Sequence, residues 1–266
     1  MQIDIESVAQ SFAQARRSAG AFAEYPGSAP QSMAEAYLVQ DRIVGLIGHP
    51  IGGWKVGRVP ALQAAILGAD RLAGPIFSDF VLHVPENVVP EVPIYHHGFA
   101  AAEAEFMFRI CTAPMPDKLT YTLAEAATMV DRLCVGIEMA SSPFAGINEH
   151  GAAVTASDLG NTKALVIGTA LDLVVDADYA NWTVKTEIDG VVMGQAQARD
   201  LPDGPLGAVR FLLENLAARG IALTVGQWIS SGAITGVHPV RPGQYIVARF
   251  GETKLVQCTV GVGLPL

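Results

Sequence analysis

Residues 102–110 alternate strictly. Ala102, Ala104, Phe106, Phe108 and Ile110 share one parity, and Glu103, Glu105, Met107 and Arg109 share the other. A period of two is the signature of a β-strand, so Glu103 and Glu105 project from one face. Neighbouring carboxylates repel each other unless a cation or a proton lies between them. A third acid, Glu138, follows the apolar run Leu133–Ile137, where an unpaired carboxylate would be costly to bury. Three carboxylates on otherwise apolar strands suggest an oxygen-lined site for a hard divalent cation. A ligand set of carboxylate oxygens alone favours Mg²⁺ or Mn²⁺ over Zn²⁺ or copper. For Glu103 and Glu105 the alternative is a solvated strand face that also carries Arg109.

Other residues could join such a site. Lys55 lies in Gly52-Gly53-Trp54-Lys55-Val56-Gly57. If partly desolvated there, it could act as an acid/base or pair with a substrate carboxylate; otherwise it reaches from a strand end to solvent. The polar run 157–163, with Asp158 and Asn161, either lines a site or forms a turn bonded to its own backbone. Ser231 and Gly232 end a strand with small residues, which suits either close approach of a ligand or packing against a neighbouring strand. His96-His97 is expected in an exposed loop. There is no G-x-S-x-G, P-loop or G-x-G-x-x-G pattern, so nucleophilic serine hydrolysis and nucleotide binding lack support.

The elements that must position these side chains follow from periodicity. Apolar spacing predicts a helix over Ile5–Ser18 and a second, capped by Ser32, running to about Ile47 before Gly48-His49-Pro50 breaks it. Strands are expected at Gly53–Gly57, Gly74–Phe80, Glu103–Ile110, Val135–Met139, Lys163–Ile167, Trp182–Ile188, Val191–Ala198, Gln227–Ser231, Gln244–Phe250 and Thr253–Val260. Asp189-Gly190 marks a two-residue hairpin. Further helices are expected near Leu123–Arg132 and at Pro205–Arg219, with Gly220 as a stop. This order predicts an α+β protein with a large mixed or antiparallel β core.

Composition narrows the class. Of the 266 residues, 50% are hydrophobic and 16% charged, and mean hydropathy is +0.33. So apolar a chain is expected to bury a subunit interface, pointing to a homo-oligomer. No apolar run reaches the ~20 residues of a membrane helix, so no membrane association is expected. Residues 1–6 lack a basic segment followed by an apolar one, so no secretory signal is expected. Cys111, Cys134 and Cys258 fit reduced cytoplasmic core residues. A net charge of −9 without a Lys/Arg cluster argues against nucleic acid. Small-molecule chemistry in the cytoplasm is the class that remains.

The ordered succession Ala36–Gln40, Gly53–Gly57, Gly74–Asp79, Ala102–Glu105, Gly136–Glu138, Asp158–Asn161 and Ser231–Ala233 resembles the 2-keto-4-pentenoate hydratase family. That family includes the 4-oxalocrotonate decarboxylases and is related to fumarylacetoacetate hydrolase. The resemblance covers most of the chain. It implies a fumarylacetoacetase-like mixed β-roll core, with an N-terminal helical α/β portion at 1–75 and a β-rich catalytic core at 76–266, within one unit spanning 1–266. It also implies Mg²⁺ or Mn²⁺ held by Glu103, Glu105 and Glu138, with Lys55 near the substrate. Asp79 and the Asp158–Asn161 turn fall where family members line the pocket, so Asp79 joins Lys55 as an implied catalytic residue, and Asp158, Asn161, Ser231 and Gly232 as substrate-binding ones.

The activity implied is hydration of a 2-hydroxy-2,4-dienoate, or its 2-oxo tautomer, to a 4-hydroxy-2-oxo acid. Decarboxylation of the 4-oxalocrotonate type is the alternative, because one Lewis-acid site stabilises the enolate in both reactions. One departure stands out. Where relatives in meta-cleavage pathways often read Asp-Ser-Arg, Ser141 takes the Asp place and Pro143 the Arg place. The metal ligand survives this change but a charged pair does not. A further alternative is therefore a non-catalytic partner in a mixed complex with a related decarboxylase or hydratase. No clear match to the early Tyr–His element of the hydrolase branch is found, which points away from C–C bond hydrolysis.

Overall fold

A computed structural model describes residues 3–172 and 176–263; Met1 and Gln2, part of the N-terminal run considered above, lie outside it. The chain opens with two helices, α1 (Ile5–Ser18) and α2 (Met33–Ile47). Asp4 caps the first by accepting from Ser7 N–H at 3.0 Å, and Ser32 caps the second by accepting from Glu35 N–H at 3.2 Å. Gly48, at φ 74°, ends α2 in the left-handed conformation.

There follow β1 (Ile51–Arg58), α3 (Ala61–Leu67), β2 (Arg71–Phe77), β3 (Val81–His83), β4 (Glu91–Ile94), β5 (Phe99–Ile110), α4 (Leu123–Thr128), β6 (Val130–Ser142), α5 (Ala152–Ser157), β7 (Thr162–Ala170), β8 (Thr183–Ile188), β9 (Val191–Gln197), α6 (Leu206–Ala218), β10 (Trp228–Ser230), β11 (His238–Pro239), β12 (Tyr245–Phe250) and β13 (Lys254–Val262).

Two curled sheets result. One runs β2-β1-β10-β5-β6-β7-β3, with the short β11 also paired to β5; the other runs β4-β13-β12-β8-β9. Most pairs are antiparallel. The pairs β1–β10, β3–β7 and β4–β13 are parallel, so both sheets are mixed. This is the α+β, fumarylacetoacetase-like β-roll architecture. The sequence boundary at residue 75 falls inside β2, which shares its sheet with β5 and β6. No helix among the described residues is long and apolar enough to cross a membrane.

Alternation decides which face meets the core. Trp54, Val56, Ala104, Phe106, Val135, Ile137 and Val166 pack against Ile246, Phe250, Val256 and Cys258 of the second sheet, and against α6. Each fully buried large apolar side chain there contributes on the order of 1.5–3 kcal/mol. The opposite parity, with Lys55, Glu103, Glu105 and Glu138, faces the other way. That second face is covered by α1, α2, α5 and the 158–161 turn. Buried Gln40 fastens this cover, its Nε2 donating to the carbonyls of Ala73 (2.9 Å) and Ala156 (2.7 Å). The Tyr37 hydroxyl accepts from Ala73 N–H at 3.1 Å.

Several expectations shift. The segment predicted as a helix over 123–132 is helical only to Thr128, because the branched and apolar run from Val130 enters β6 opposite β5. The predicted strand to Phe80 stops at Phe77, and Ser78–Phe80 form a 3₁₀ turn. Cys134 and Cys258 are buried, but Cys111 is half-buried. The Asp189-Gly190 hairpin forms as expected, with both residues at positive φ.

Two positions in this frame generate tests. A Cβ on Gly74 would fall 2.0 Å from the Leu159 carbonyl oxygen, so only glycine lets β2 approach the 158–161 turn. Gly74→Ala should cost about 1–3 kcal/mol in denaturant unfolding, the range for overpacking. Buried Lys163 sits 3.8 Å from the centre of the Phe80 ring face. Burial, with Arg16 nearby, lowers its pKa to about 7. The unfolded chain therefore binds the extra proton between about pH 7 and 10, so this group makes stability rise with pH across that window. Lys163→Met should flatten that rise relative to wild type and raise stability at pH 7, as read by thermal unfolding.

Candidate active site

Antiparallel pairing sets Glu103 directly opposite Glu138 and Glu105 opposite Gly136. Directly opposed residues share a face, so three carboxylates meet on one side of β5 and β6. They are buried, with one oxygen of each lying within 4.8 Å of the others. The solvated-face alternative is thereby excluded. Lys55 Nζ enters the cluster from β1, 3.2 Å from Glu138 Oε1 and 3.9 Å from Glu103 Oε2, and donates to Asn161 Oδ1 at 3.1 Å. Gly232 N–H donates to Glu105 Oε2 at 2.8 Å.

Electrostatics follow from the charge count. Three carboxylates and one ammonium leave a formal −2 in a region shielded from water. Burial, with Glu138 nearby, pushes the Glu103 carboxyl up to about 7 although Lys55 opposes the shift. Glu105 is pushed well above the ordinary range by burial and by Glu138 and Glu103. Burial opposes charge on Lys55, but Glu103, Glu138 and Glu105 outweigh it and raise its pKa. Glu105 Oε1 and Glu138 Oε2 have no hydrogen-bond partner, and Glu138 Oε1 meets Lys55 without hydrogen-bond geometry. Buried polar atoms are rarely left so. Orphaned oxygens, an all-oxygen donor set and a −2 imbalance together fit a divalent cation.

The cluster opens onto a cavity of about 600 Å³, lined by Lys55, Glu103, Asn161, Ser231 and Gly232 and by residues of β1, β2, α5 and the 231–237 loop. Gly232 adopts φ 95° and lies so near the Val56 carbonyl (3.2 Å from a would-be Cβ) that a side chain would be strained there. Glu103 and Lys55 thus stand at the floor of the cavity, with Glu105 and Glu138 buried behind them.

Comparison with known proteins adds the lineage. No family model matches the chain. The 4-oxalocrotonate decarboxylase of Pseudomonas sp. (strain CF600) is 25% identical over 232 residues, covering 85% of this chain and 84% of that one. That of Pseudomonas putida is 24% identical over 230 residues, with the same coverage. The chain is thus similar in sequence to the 4-oxalocrotonate decarboxylases over most of its length, in keeping with the resemblance carried by its motifs. Its fold agrees. The structure of 4-oxalocrotonate decarboxylase from Pseudomonas putida G7, complexed with magnesium and adipate, superposes with a TM-score of 0.77 at 21% identity, covering 96% of this chain and 97% of that one. Fumarylpyruvate hydrolase from Pseudomonas aeruginosa, in complex with Mn²⁺ and pyruvate, gives 0.56 at 17% identity, covering 79% and 89%. The proteins it resembles in sequence and fold are enzymes.

Not every residue implied by the family resemblance reaches the cavity. Asn161, Ser231 and Gly232 line it. Asp158 does not: it is fully buried behind the turn, where Oδ1 accepts from Arg16 Nε at 2.7 Å and Oδ2 from the Ser142 hydroxyl at 2.6 Å. Its carboxylate holds the turn rather than a ligand. Asp79 sits on the exposed 3₁₀ turn after β2, with its side chain 64% exposed and 3.2 Å from His49 Nδ1, and does not line the cavity. The turn that ends β2 early is what points it outward. Sequence reasoning missed Asn148, whose Oδ1 accepts from Asn161 Nδ2 at 2.9 Å. It also missed Arg16, although Arg16 sits four residues after Phe12 beside the apolar stripe of α1.

Titration of the purified protein with Mn²⁺ tests the cluster. One ion should bind per chain, and Glu105→Gln should weaken it by at least about 100-fold. Because Glu103 must lose its proton to act as a ligand, affinity should rise with pH up to about 7–8 and fall on acidification.

Proposed function

We propose that the chain is a cytoplasmic, divalent-metal-dependent lyase that decarboxylates a short vinylogous 2-oxo diacid of the 4-oxalocrotonate type. The observation that carries this reading is the buried Glu103–Glu105–Glu138 cluster with Lys55 inserted into it at the floor of the cavity. The two curated relatives, both named 4-oxalocrotonate decarboxylase, support decarboxylation as the first choice. The magnesium and adipate bound to the Pseudomonas putida G7 enzyme support a dication and a carboxylate-bearing ligand here.

The residues that would hold the ion are Glu103, Glu105 and Glu138, with Mg²⁺ or Mn²⁺ as the expected occupant. The chemistry such an ion supplies is Lewis-acid stabilisation of enolate charge on the substrate's C2 oxygen. In the decarboxylation, the bond to the terminal carboxylate breaks and CO₂ leaves. The electron pair moves through the C3–C4 alkene towards C2, and one proton must be gained to give the 2-hydroxy-2,4-dienoate. Lys55 carries a proton at Nζ beside the cluster and can deliver it. Asn161 holds that ammonium in place, and Asn148 in turn holds Asn161. Backbone donors at Ser231 and Gly232 fix the wall opposite, with Ser231 N–H bonded to the Phe106 carbonyl at 3.0 Å.

Hydration of a 2-hydroxy-2,4-dienoate is the second reading. It is favoured by a cavity of about 600 Å³, roomy enough for water beside a short substrate. A homo-oligomer is proposed as well. Val191, Val192 and Met193 lie exposed on β9, the edge of the second sheet, where an unpaired apolar strand invites a partner.

Turnover decides among these. With Mg²⁺ or Mn²⁺, 4-oxalocrotonate should release CO₂. The rate should vanish in EDTA, and Glu105→Gln should lower it by at least about 100-fold. Loss of 2-hydroxypenta-2,4-dienoate without CO₂ release from 4-oxalocrotonate would make the chain a hydratase. Metal binding with neither reaction would make it a non-catalytic partner of an active relative.

A further inference from the structure

The cavity has a second charged end. Arg58 on β1 and Arg71 on β2 are directly opposed in the antiparallel register, and both line the cavity. Like charges facing each other across a strand pair are destabilising unless something anionic offsets them. Little on the protein does so. Arg58 is exposed and has no hydrogen bond or ion pair among the described residues. Arg71 is buried, its Nη2 donating to the Pro202 carbonyl. Among the described residues its only carboxylate within ion-pair reach is Asp70, 3.7 Å from Nη1 and itself 68% exposed. Asp203, the other acid near Arg71, is paired with Arg210 at 2.5 Å. Burial lowers the Arg71 pKa, and Arg210 and Arg58 add to that effect against Asp70 and Asp203.

We propose that the cross-strand pair Arg58–Arg71 is a second anion-binding subsite, which selects substrates carrying a carboxylate remote from the 2-oxo acid group. The subsite bears on catalysis only if the Glu103–Glu105–Glu138 end takes the 2-oxo acid, as proposed above. Its spacing is set by the sheet. Arg58 follows Lys55 by three residues on β1, and Arg71 lies three residues from Gly74, the partner of Lys55 on β2. At about 3.3 Å per residue, both lie about 10 Å along the strands from Lys55. A spacing of three sets Arg58 and Arg71 on the sheet face opposite Lys55, so they meet the cavity at the free edge of β1, past its last pairing with β10 at Trp54.

The pair acts in capture and alignment. A carboxylate gripped tightly would be stabilised in the ground state and would leave less readily as neutral CO₂. Arg58, exposed to water and salt, holds it loosely. The cavity is therefore polarised, with a carboxylate floor that needs a cation at one end and a cationic rim that needs an anion at the other.

Calorimetry on the Mg²⁺-loaded protein tests this with two saturated, unreactive ligands of equal chain length, 2-oxohexanoate and 2-oxohexanedioate. The diacid should bind about 10–100-fold more tightly, the worth of one charge-assisted hydrogen bond or slightly more. Arg58→Gln should remove most of that preference and leave 2-oxohexanoate unchanged, while Arg58→Lys should keep part of it. Equal binding of the two ligands by wild type, or a preference untouched by Arg58→Gln, overturns the subsite. If 2-oxohexanoate fails to bind while the diacid still binds through Arg58, the subsite stands and the proposed function falls.

Discussion

Three carboxylates share one buried face with a single lysine, and most of the structure around them is explicable as the means of holding them there. An isolated buried charge costs several kcal/mol even after relaxation. The chain offsets this with Lys55, with the Gly232 N–H on Glu105, and with a register that sets Glu103 against Glu138. What remains is a −2 imbalance and two orphaned oxygens, which the protein alone does not satisfy. A site left unbalanced in this way fits a divalent cation. The metal would then be part of the local stability as well as of the chemistry, since anything that binds only the folded state stabilises it.

The cluster needs a rigid frame, and the frame is a second buried charge system. Arg16 reaches from α1 to Asp158, whose other oxygen takes the Ser142 hydroxyl at the end of β6. Arg16 Nη2 also donates to the Asp158 carbonyl at 3.2 Å. One arginine thereby ties the helical front to the turn that delivers Asn161 to Lys55. Gly74 lets that turn press against β2, and Gln40 locks α2 over both. The N-terminal helices belong to the site's mechanics even though none of their side chains meets the cavity.

The strands and the three glutamates were legible in the sequence because their signals are local. Strict alternation at 102–110 reports both the strand and the shared face, and Glu138 stands out against an apolar run. Lys55 was legible for the same reason. The roles of Asp79 and Asp158 were not, because each depends on where a turn points. Asp158 faces inward to Arg16, 142 residues earlier in the chain. Asp79 faces solvent because β2 ends early. No local pattern encodes such distant pairings. The Arg58–Arg71 opposition was equally hidden, since it exists only once β1 and β2 are in register. Short elements such as α3 and α5 escaped because six or seven residues carry too little periodicity to declare themselves.

The uncharged segment at Ser141–Pro143 fits this picture. The Ser141 hydroxyl is spent on backbone, accepting from Tyr95 N–H at 3.0 Å and donating to the Phe99 carbonyl at 2.7 Å. It closes the loop before β5 and leaves nothing to offer a ligand. Charge near this strand end is supplied instead by Arg16 and Asp158, which are already paired with each other and buried. The positive charge that borders the cavity lies on Arg58 and Arg71, of which Arg58 is unpaired among the described residues. If charge near the cavity governs which 2-oxo acid is accepted, that choice is made by the β1–β2 pair and not by the end of β6. The metal-binding floor and the selective rim would then rest on different strand pairs of one sheet, free to change separately while Lys55, on β1, belongs to both.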